Sequence, residues 1–291
     1  MPRLHRAAAL LLLCTILAAP RESRAVNLVP NPSFETYSGC PTSFSQLYQA
    51  APWDAPTTGT SDYLNTCVSG WPGFPVPAIP QNPVGIQTPR TGDGMGGFIV
   101  RNVNDYHEYL QAPLASPLVN GQSYLVKFYV NLGDTSFVAI DRIGAYLSVG
   151  AIGPLAMNTT LLLTPQVESP AFGYLNDTVN WMLISGLYTA SGGEDHIVIG
   201  SFRDDATTNT QPTGFSWPVS YYYIDDVSVE LQLPTGQACC GSDGTCSMQF
   251  PGECQLLGGT PAGAGSTCTP NPCNATPARR SSWGSLKTLY R

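Results

Sequence analysis

Alternating apolar and polar positions recur in short segments of the chain, and no segment keeps a 3.6-residue period. Val and Tyr, which favour strands, are frequent in these segments, and Pro- and Gly-rich loops separate them. This pattern predicts an all-β fold in which two antiparallel sheets pack as a sandwich. The predicted strands are 97–101, 122–131, 140–149, 178–188, 196–202 and 221–231.

Residues 38–91 form a long stretch with no clear strand pattern. A connection of this length is either functional or poorly packed. Cys40 and Cys67 lie in it, and we expect them to pair and hold its first half in place.

The first 25 residues have the features of a secretory signal peptide. Arg3 and Arg6 precede an apolar run over 7–19, and 23–25 forms a small-x-small cleavage site. The run is shorter than the roughly 20 apolar residues of a membrane span. We therefore expect cleavage of 1–25, no transmembrane segment, and a secreted or cell-surface protein.

The mature chain is acidic. Between 26 and 232 it carries five basic and seventeen acidic residues, a net charge of −12. Nucleic-acid binding depends on Lys and Arg that neutralise phosphates, so this charge argues against a nucleic-acid partner. It is compatible with neutral sugars and with cations.

The composition changes at 233–237, a predicted linker, and a cysteine-dense unit follows over 238–274. A unit this short needs disulfides to fold. Its six cysteines allow fifteen pairings, and twelve remain when Cys239 is not joined to Cys240. The sequence does not choose among them. The cysteines of the mature chain are Cys40, Cys67, Cys239, Cys240, Cys246, Cys254, Cys268 and Cys273.

The tail, 275–291, contains four basic residues and no acidic residue. It is either a frayed or docked terminus, or an address read by an export or attachment machinery. Both interpretations stay open at this stage.

The strongest resemblance lies at the two ends of the large domain. Asn27-Leu-Val-Pro-Asn-Pro-Ser-Phe-Glu35 and Tyr223-Ile-Asp-Asp-Val-Ser-Val229 resemble the first and last strands of jelly-roll, galactose-binding-like carbohydrate-binding modules of secreted bacterial proteins. The resemblance covers 26–232, with weaker matching phrases at 91–98 and 117–124. It implies a jelly-roll β-sandwich that binds a ligand and does not catalyse a reaction. The unit at 238–274 resembles short cysteine-rich modules appended to other secreted bacterial proteins.

The resemblance also implies a structural calcium ion between the first and last strands. Glu35 and either Asp225 or Asp226 occupy the matching positions, and Asp93 could contribute from its glycine-rich turn. Carboxylate and carbonyl oxygens are the ligands of Ca²⁺.

Strand parity favours Asp225 over its neighbour as the inward-facing acid. Val227, Val229 and Leu231 share its parity and should face the core. A buried carboxylate needs a partner, and calcium would supply one. The alternative is that Asp225 caps backbone N–H groups at a turn while Glu35 is solvated.

The resemblance implies that sugars stack on aromatic rings in loops. Asp204 and Asp205 could accept hydrogen bonds from sugar hydroxyls, whereas Trp181 lies in an apolar strand and should belong to the core. Each loop aromatic could instead pack its loop onto the sandwich. The candidate rings are Trp53, Trp71, Phe74, Tyr106, Tyr109 and Trp217.

Motifs of catalysis and of zinc binding are missing from the sequence. There is no Gly-x-Ser-x-Gly elbow, no His-Glu-x-x-His and no phosphate-binding glycine loop. A glycosidase needs only two placed carboxylates, and Glu108, Asp141 and Glu168 are possible members of such a pair. His107 and His196 lie in no metal-ligand spacing, so we expect both to be surface or core residues.

Two functions therefore remain. The first is a secreted, calcium-stabilised, non-catalytic module that binds a polysaccharide or a cell-surface glycan. The second is a structural or adhesive cell-surface protein with no sugar specificity.

Overall fold

The computed structural model describes residues 26–68, 76–156, 159–170, 173–215, 218–232 and 236–274. The predicted signal peptide and basic tail lie outside these ranges, as does most of the predicted linker. Three candidate sugar-binding residues, Trp71, Phe74 and Trp217, also lie outside them.

Strands are the main regular structure of the described residues. One α-helix, α1, spans Pro251–Leu256, and 3₁₀ turns span Leu47–Ala50, Val103–Asp105 and Pro272–Asn274. The strands β1 to β16 are, in order, Asp62–Asn65, Gln81–Asn82, Gly85–Ile86, Gly94–Arg101, Leu110–Pro113, Ser123–Leu132, Val138–Ile140, Gly144–Ser148, Val167–Glu168, Met182–Thr189, His196–Gly200, Thr210–Pro212, Ser220–Leu231, Gln237–Cys240, Cys246–Gln249 and Thr260–Pro261.

Two antiparallel sheets form the sandwich. The first has the strand order β1-β4-β13-β6-β10, and the second has the order β5-β11-β8-β9. One buried cluster takes Phe98 and Val126 from the first sheet and Ala145 and Ile197 from the second, so the two sheets share a core. This arrangement confirms the predicted all-β sandwich.

Strand β6 shows why the period-2 pattern predicts this fold. Tyr124, Val126 and Phe128 are buried in the core, while Leu125 and Lys127 between them are half-buried on the other face. Burial of alternate residues drives the strand against the core and leaves its polar positions toward solvent.

The N-terminal segment runs beside β13, as the resemblance implies, but it is not a continuous strand. The Leu28 N–H donates to Val229 O at 2.9 Å, and the Asn27 side chain bonds Val227 O at 3.0 Å. The pairing is irregular, because Asn31 and Phe34 have positive φ values of 50° and 60°, but Val227 N still donates to Pro32 O at 3.0 Å.

A bulge in β13 corrects the predicted direction of Asp225. The register with β6 shifts between Asp225 and Ser228, and Asp226 has a positive φ of 50°. As a result Val227 joins the core cluster, whereas Asp225 lies on the outer face of the sheet. It is nevertheless fully buried, because a neighbouring turn covers it.

The stretch 38–91 is more regular than its sequence suggests. It contains β1, β2 and β3 and a 3₁₀ turn, and the Cys40–Cys67 disulfide closes its first half. Leu64 and Val84 from this stretch pack with Tyr221 and Tyr223 on the outer face of the five-stranded sheet. Part of that face is therefore covered by protein.

The cysteine-dense unit forms a three-stranded sheet of order β15-β14-β16, and α1, which lies between β15 and β16 in the chain, contacts this sheet. Its disulfides are Cys239–Cys254, Cys240–Cys273 and Cys246–Cys268. This is one of the twelve connectivities that the sequence left open.

Candidate functional site

The glycine-rich turn at 90–94 holds the acids that the resemblance assigns to calcium. The Glu35 carboxylate accepts hydrogen bonds from the N–H groups of Asp93 and Gly94, at 2.9–3.0 Å. A Cβ on Gly92 would lie 2.2 Å from Glu35 Oε1, and its φ is +68°. The turn can enclose this carboxylate only with glycine at that position.

Asp225 holds the other end of the same turn. Its Oδ2 accepts from the N–H groups of Arg90 at 2.7 Å and Thr91 at 3.2 Å, and its Oδ1 accepts from Asp226 N. Burial, together with the charge of Asp226, raises the pKa of Asp225 to about 8. Arg90 forms its ion pair with Asp226.

The third predicted calcium ligand points elsewhere. The Asp93 carboxylate accepts a hydrogen bond from the Thr66 hydroxyl at 2.9 Å. Among the described residues, Glu35, Asp93 and Asp225 therefore do not converge as one group of ligand atoms within 4.8 Å. Glu35 and Asp225 still fit calcium in chemistry, because carboxylate oxygens are ligands that calcium takes. Both carboxylates accept hydrogen bonds from backbone N–H groups, as residues that cap a turn do.

Trp53 does not present its ring to a ligand, contrary to prediction. It is 1% exposed and stacks on Phe34 with ring centroids 5.0 Å apart. Its indole N–H donates to Asn31 O at 2.8 Å. The ring packs the N-terminal segment onto the sandwich, which was the alternative interpretation.

Tyr109 is also a core residue rather than a surface platform. It is fully buried, its hydroxyl donates to Ser201 O at 3.0 Å, and it accepts from Leu161 N at 2.9 Å. Trp181 is half-buried and packs against the cluster on the outer face of the five-stranded sheet, with its N–H 3.3 Å from Thr88 O.

Tyr106 is half-buried, and its hydroxyl donates to Glu108 Oε1 at 2.6 Å. Burial and the negative charge of Glu108 raise the pKa of Tyr106 to about 12. Glu108 also accepts from the Thr60 hydroxyl and from Ile99 N, so a set of donors holds it inside the protein. It is therefore placed as a structural anchor of the loop at 57–60.

The other two candidate catalytic acids, Asp141 and Glu168, flank one arginine. Arg142 Nε lies 3.8 Å from Asp141 Oδ2 and 3.4 Å from Glu168 Oε2. Glu168 also contacts Arg203 at 3.3 Å, and Asp141 accepts from the Asn209 amide. Both carboxylates are thus engaged by cations or donors.

Asp204 and Asp205, predicted to read sugar hydroxyls, have different roles. Asp204 Oδ1 accepts from the N–H and the hydroxyl of Thr207, at 2.8 and 2.5 Å, and so caps a turn. Asp205 instead meets Asp105 and His107, and one ligand atom from each of these three lies within 4.8 Å of the others. We call this group the Asp–His cluster.

His107 is the buried member of the Asp–His cluster. Its Nε2 lies 3.4 Å from Asp205 Oδ1, and the same oxygen lies 3.4 Å from Arg101 Nε. The N–H of Asp205 donates to Asp105 Oδ1 at 2.7 Å. Burial lowers the pKa of His107, although the charge of Asp205 opposes this effect. The cluster has no signal in the sequence, because its members come from two segments about a hundred residues apart.

A cleft of about 460 Å³ opens beside this cluster. Tyr146 and Ser148 of β8 line it, together with loop residues that include Ile152, Leu155 and Thr160. The Thr160 hydroxyl donates to Asp105 O at 3.2 Å, so the wall of the cleft contacts the Asp–His cluster. Tyr146 could have been proposed from the sequence, because it alternates with apolar residues in a predicted strand and so should lie on the opposite face from them.

No helix among the described residues has the length and apolar character needed to cross a bilayer. No protein-family model matches the chain, and no curated protein matches it.

Several solved structures do match. The CBM22-1–GH10 modules of Clostridium thermocellum xylanase 10B, complexed with xylohexaose, match with 12% identity and a TM-score of 0.37 over 73% of this chain and 30% of that chain. The CBM22-1 xylan-binding domain of Paenibacillus barcinonensis Xyn10C matches with 11% identity and a TM-score of 0.33, over 68% of this chain and 90% of that chain. The K1 cleaved adhesin domain of Porphyromonas gingivalis Lys-gingipain matches with 14% identity and a TM-score of 0.32, over 69% of this chain and 96% of that chain. The structures that this chain is similar to thus include carbohydrate-binding modules and an adhesin domain.

Proposed function

We propose that residues 26–232 form a secreted, non-catalytic module that binds a glycan in the cleft beside Tyr146. The observation that carries the proposal is the lining of this cleft. It combines an aromatic ring and apolar side chains with the hydroxyl-bearing residues Ser148 and Thr160. Such a mixed lining suits a sugar, which presents apolar C–H faces and polar edges.

The charge of the domain supports a neutral ligand. With seventeen acidic and five basic residues between 26 and 232, the surface would repel anionic polymers. The candidate catalytic acids are held by donors or cations, which supports binding rather than hydrolysis.

We further propose the organisation that the sequence predicts. A leader over 1–25 is removed, a linker over 233–237 follows the sandwich, and a disulfide-stapled module over 238–274 precedes a basic tail over 275–291. The disulfides are consistent with an oxidising compartment.

A binding screen with the mature chain tests the glycan proposal. The panel contains neutral polysaccharides, including xylan and β-1,4-galactan, and affinity is measured by gel retardation and calorimetry. Tyr146→Ala should weaken binding by about tenfold or more, since it removes a ring contact. Tyr48→Ala, a tyrosine 58% exposed outside the cleft lining, is the matched control and should bind normally.

Variants of Trp71, Phe74 and Trp217 belong in the same screen, because the sequence predicts that these residues bind the sugar. If one of these weakens binding while Tyr146→Ala does not, the glycan site lies elsewhere on the domain. If no polysaccharide binds, the alternative function gains support: a structural or adhesive cell-surface protein without sugar specificity.

We also propose that Ca²⁺ stabilises the turn at 90–94 through Glu35 and Asp225. Burial and the charge of Asp226 favour the protonated form of Asp225, and a bound cation would instead favour its carboxylate. Adding Ca²⁺ to the chelator-treated chain should raise the melting temperature of the wild type and leave that of Glu35→Gln unaffected. Asp54→Asn, at an exposed position, is the control and should respond like the wild type. An unchanged wild-type melting temperature would remove calcium from the proposal.

A further inference from the structure

We propose that Asp105, His107 and Asp205 form a binding site for a divalent transition metal of the zinc class, separate from the turn at 90–94. One imidazole nitrogen and two carboxylate oxygens would bind the ion, and a fourth position would remain for water or a ligand.

The distance between His107 and Asp205 suits a shared metal ion. His107 Nε2 and Asp205 Oδ1 are 3.4 Å apart, which is beyond the usual range of a hydrogen bond. Two ligands at about 2.0–2.2 Å from a tetrahedral zinc ion are themselves separated by roughly 3.3–3.6 Å. The spacing therefore suits two ligands of one metal ion better than a donor and its acceptor.

His107 is buried without a well-formed hydrogen bond. His107 is 0% exposed, and within ordinary hydrogen-bond geometry neither of its ring nitrogens has a partner among the described residues. The Asp205 carboxylate and the Ser201 backbone are the polar groups that face the ring in longer, weaker contacts. Asp205 Oδ1, which faces it, also lacks a hydrogen-bond partner in this part of the chain. Buried polar atoms without partners are rare and costly, and one metal ion would satisfy both atoms.

The donor set also indicates the class of metal. A neutral imidazole nitrogen carries the lone pair that a metal needs. Nitrogen together with carboxylate oxygen is a donor set for zinc, cobalt or nickel rather than calcium.

The local backbone holds both acids in place. Asn104 and Asp105 have positive φ values of 61° and 54°, and this turn brings Asp105 Oδ1 within 2.7 Å of Asp205 N. The second oxygen of Asp105 remains for a ligand. Asp205 is only partly buried, so an ion can reach the cluster from solvent.

Arg101 is the competing feature, because its Nε also lies 3.4 Å from Asp205 Oδ1. Without a metal, the cluster is an ion pair of Arg101 and Asp205 beside a histidine. That ion pair satisfies neither nitrogen of His107, and Arg101 Nε itself has no hydrogen-bond partner in the described residues. With a metal, Arg101 orients the ligating carboxylate from outside, as the neighbours of ligating groups commonly do.

Metal titration of the chelator-treated mature chain tests the proposal. Zinc binding is followed by calorimetry, and Co²⁺ by its visible absorption, which reports tetrahedral geometry. Excess Ca²⁺ is present, so that a calcium site elsewhere is filled. We expect one high-affinity equivalent. Asp105→Asn should weaken it by more than the 10–100-fold cost of losing an outer neighbour. This variant retains an oxygen that can accept from Asp205 N.

His107→Gln is the second variant, with its fold checked by circular dichroism. His196→Gln is the matched control, because His196 also faces a carboxylate, Asp195 at 2.8 Å, but belongs to no group of three ligands among the described residues. Equal zinc affinity in the wild type, Asp105→Asn and His107→Gln would overturn the proposal. So would the absence of a tetrahedral cobalt spectrum. Either result would leave the ion pair of Arg101 and Asp205 as the role of the cluster, and neither depends on glycan binding.

Discussion

Tyr221 donates a hydrogen bond of 2.8 Å to Asp62 Oδ2 on the outer face of the five-stranded sheet. Both residues are buried, and the bond crosses Gly97 of β4, whose missing side chain leaves room for the tyrosine hydroxyl. Asp62 Oδ1 accepts from Ser45 N at 2.5 Å. This pair therefore connects β1 and β13 to the loop that covers them.

The first prediction concerns the pH dependence of stability. Burial, together with the negative charge of Glu108, raises the pKa of Asp62 well above 3.8. A raised pKa means that the folded state favours the protonated acid. The stabilisation is therefore complete below the unfolded pKa of about 4 and is lost as pH rises through the folded pKa. The wild type should lose stability over that range.

Asp62→Asn should reduce this loss, because its side chain stays neutral and its amide can still bond both partners. Each unit of pKa shift is worth about 1.4 kcal/mol, so the difference between variant and wild type should grow with pH. Urea unfolding measured from acidic to neutral pH checks this, with exposed Asp54→Asn as the control. Parallel curves for Asp62→Asn and the wild type would contradict the prediction.

The second prediction concerns Gly97. A Cβ at this position would lie 1.9 Å from the Tyr221 hydroxyl and 3.0 Å from Leu64 Cδ1. Gly97→Ala must displace a buried tyrosine and break its bond to Asp62, so it should cost about 2–4 kcal/mol. Denaturant unfolding measures the loss. In the Gly39→Ala control the new Cβ meets only Gln49 Oε1 at 3.5 Å, an ordinary contact, and the change should stay within about 0.5 kcal/mol.

A double-mutant cycle sharpens this test. Because the Tyr221 hydroxyl is the closest atom to the new Cβ, Tyr221→Phe should cost less in the Gly97→Ala background than in the wild type. If the free-energy costs of the two substitutions simply add, the new Cβ at position 97 is accommodated without displacing the Tyr221 hydroxyl.

The strands of the sandwich were predictable from sequence because burial alternates along them. In β6 every second residue from Tyr124 faces the core, and the period-2 pattern records this directly. The bulge at Asp226 breaks the same rule, and parity therefore placed Asp225 on the wrong face. One extra residue in a strand has no signature in hydrophobicity.

The site residues were less predictable, because burial of a loop aromatic depends on what folds over it. Trp53 lies in a polar stretch, yet Phe34 and the N-terminal segment enclose it. The Asp–His cluster depends on a contact between distant segments, and no spacing in the sequence encodes it. The disulfide connectivity could not be predicted either, because it also depends on contacts between segments that are distant in the sequence.

The third prediction concerns the disulfide in the long loop. Cys40 and Cys67 are 27 residues apart, and in the chain-entropy model their bond contributes about 3–4 kcal/mol. Replacing both with Ala should lower the unfolding free energy of the sandwich by that amount in urea. Replacing Cys240 and Cys273 instead opens a bond within the proposed separate module, and should leave the sandwich transition unchanged. A shift in that transition would argue against independent units.

The last prediction separates a structural tyrosine from a binding one. The Tyr109 hydroxyl is the acceptor for Leu161 N and the donor to Ser201 O, in a fully buried position. Tyr109→Phe leaves both backbone groups without this partner, so it should cost about 1–3 kcal/mol while creating almost no cavity. Tyr48→Phe, at an exposed position, should change stability by less than about 0.5 kcal/mol.

Glycan titration tests whether the Tyr109 or the Tyr146 side chain contacts the ligand. Because no atom of the Tyr109 ring is exposed, Tyr109→Phe should keep its affinity within about threefold of the wild type at temperatures where it is folded. Tyr146→Ala should lose affinity while keeping most of its stability, since Tyr146 is half-buried in the cleft wall. Loss of glycan affinity in Tyr109→Phe at unchanged stability would return Tyr109 to the binding surface, and would require the loop at 159–163 to open in solution.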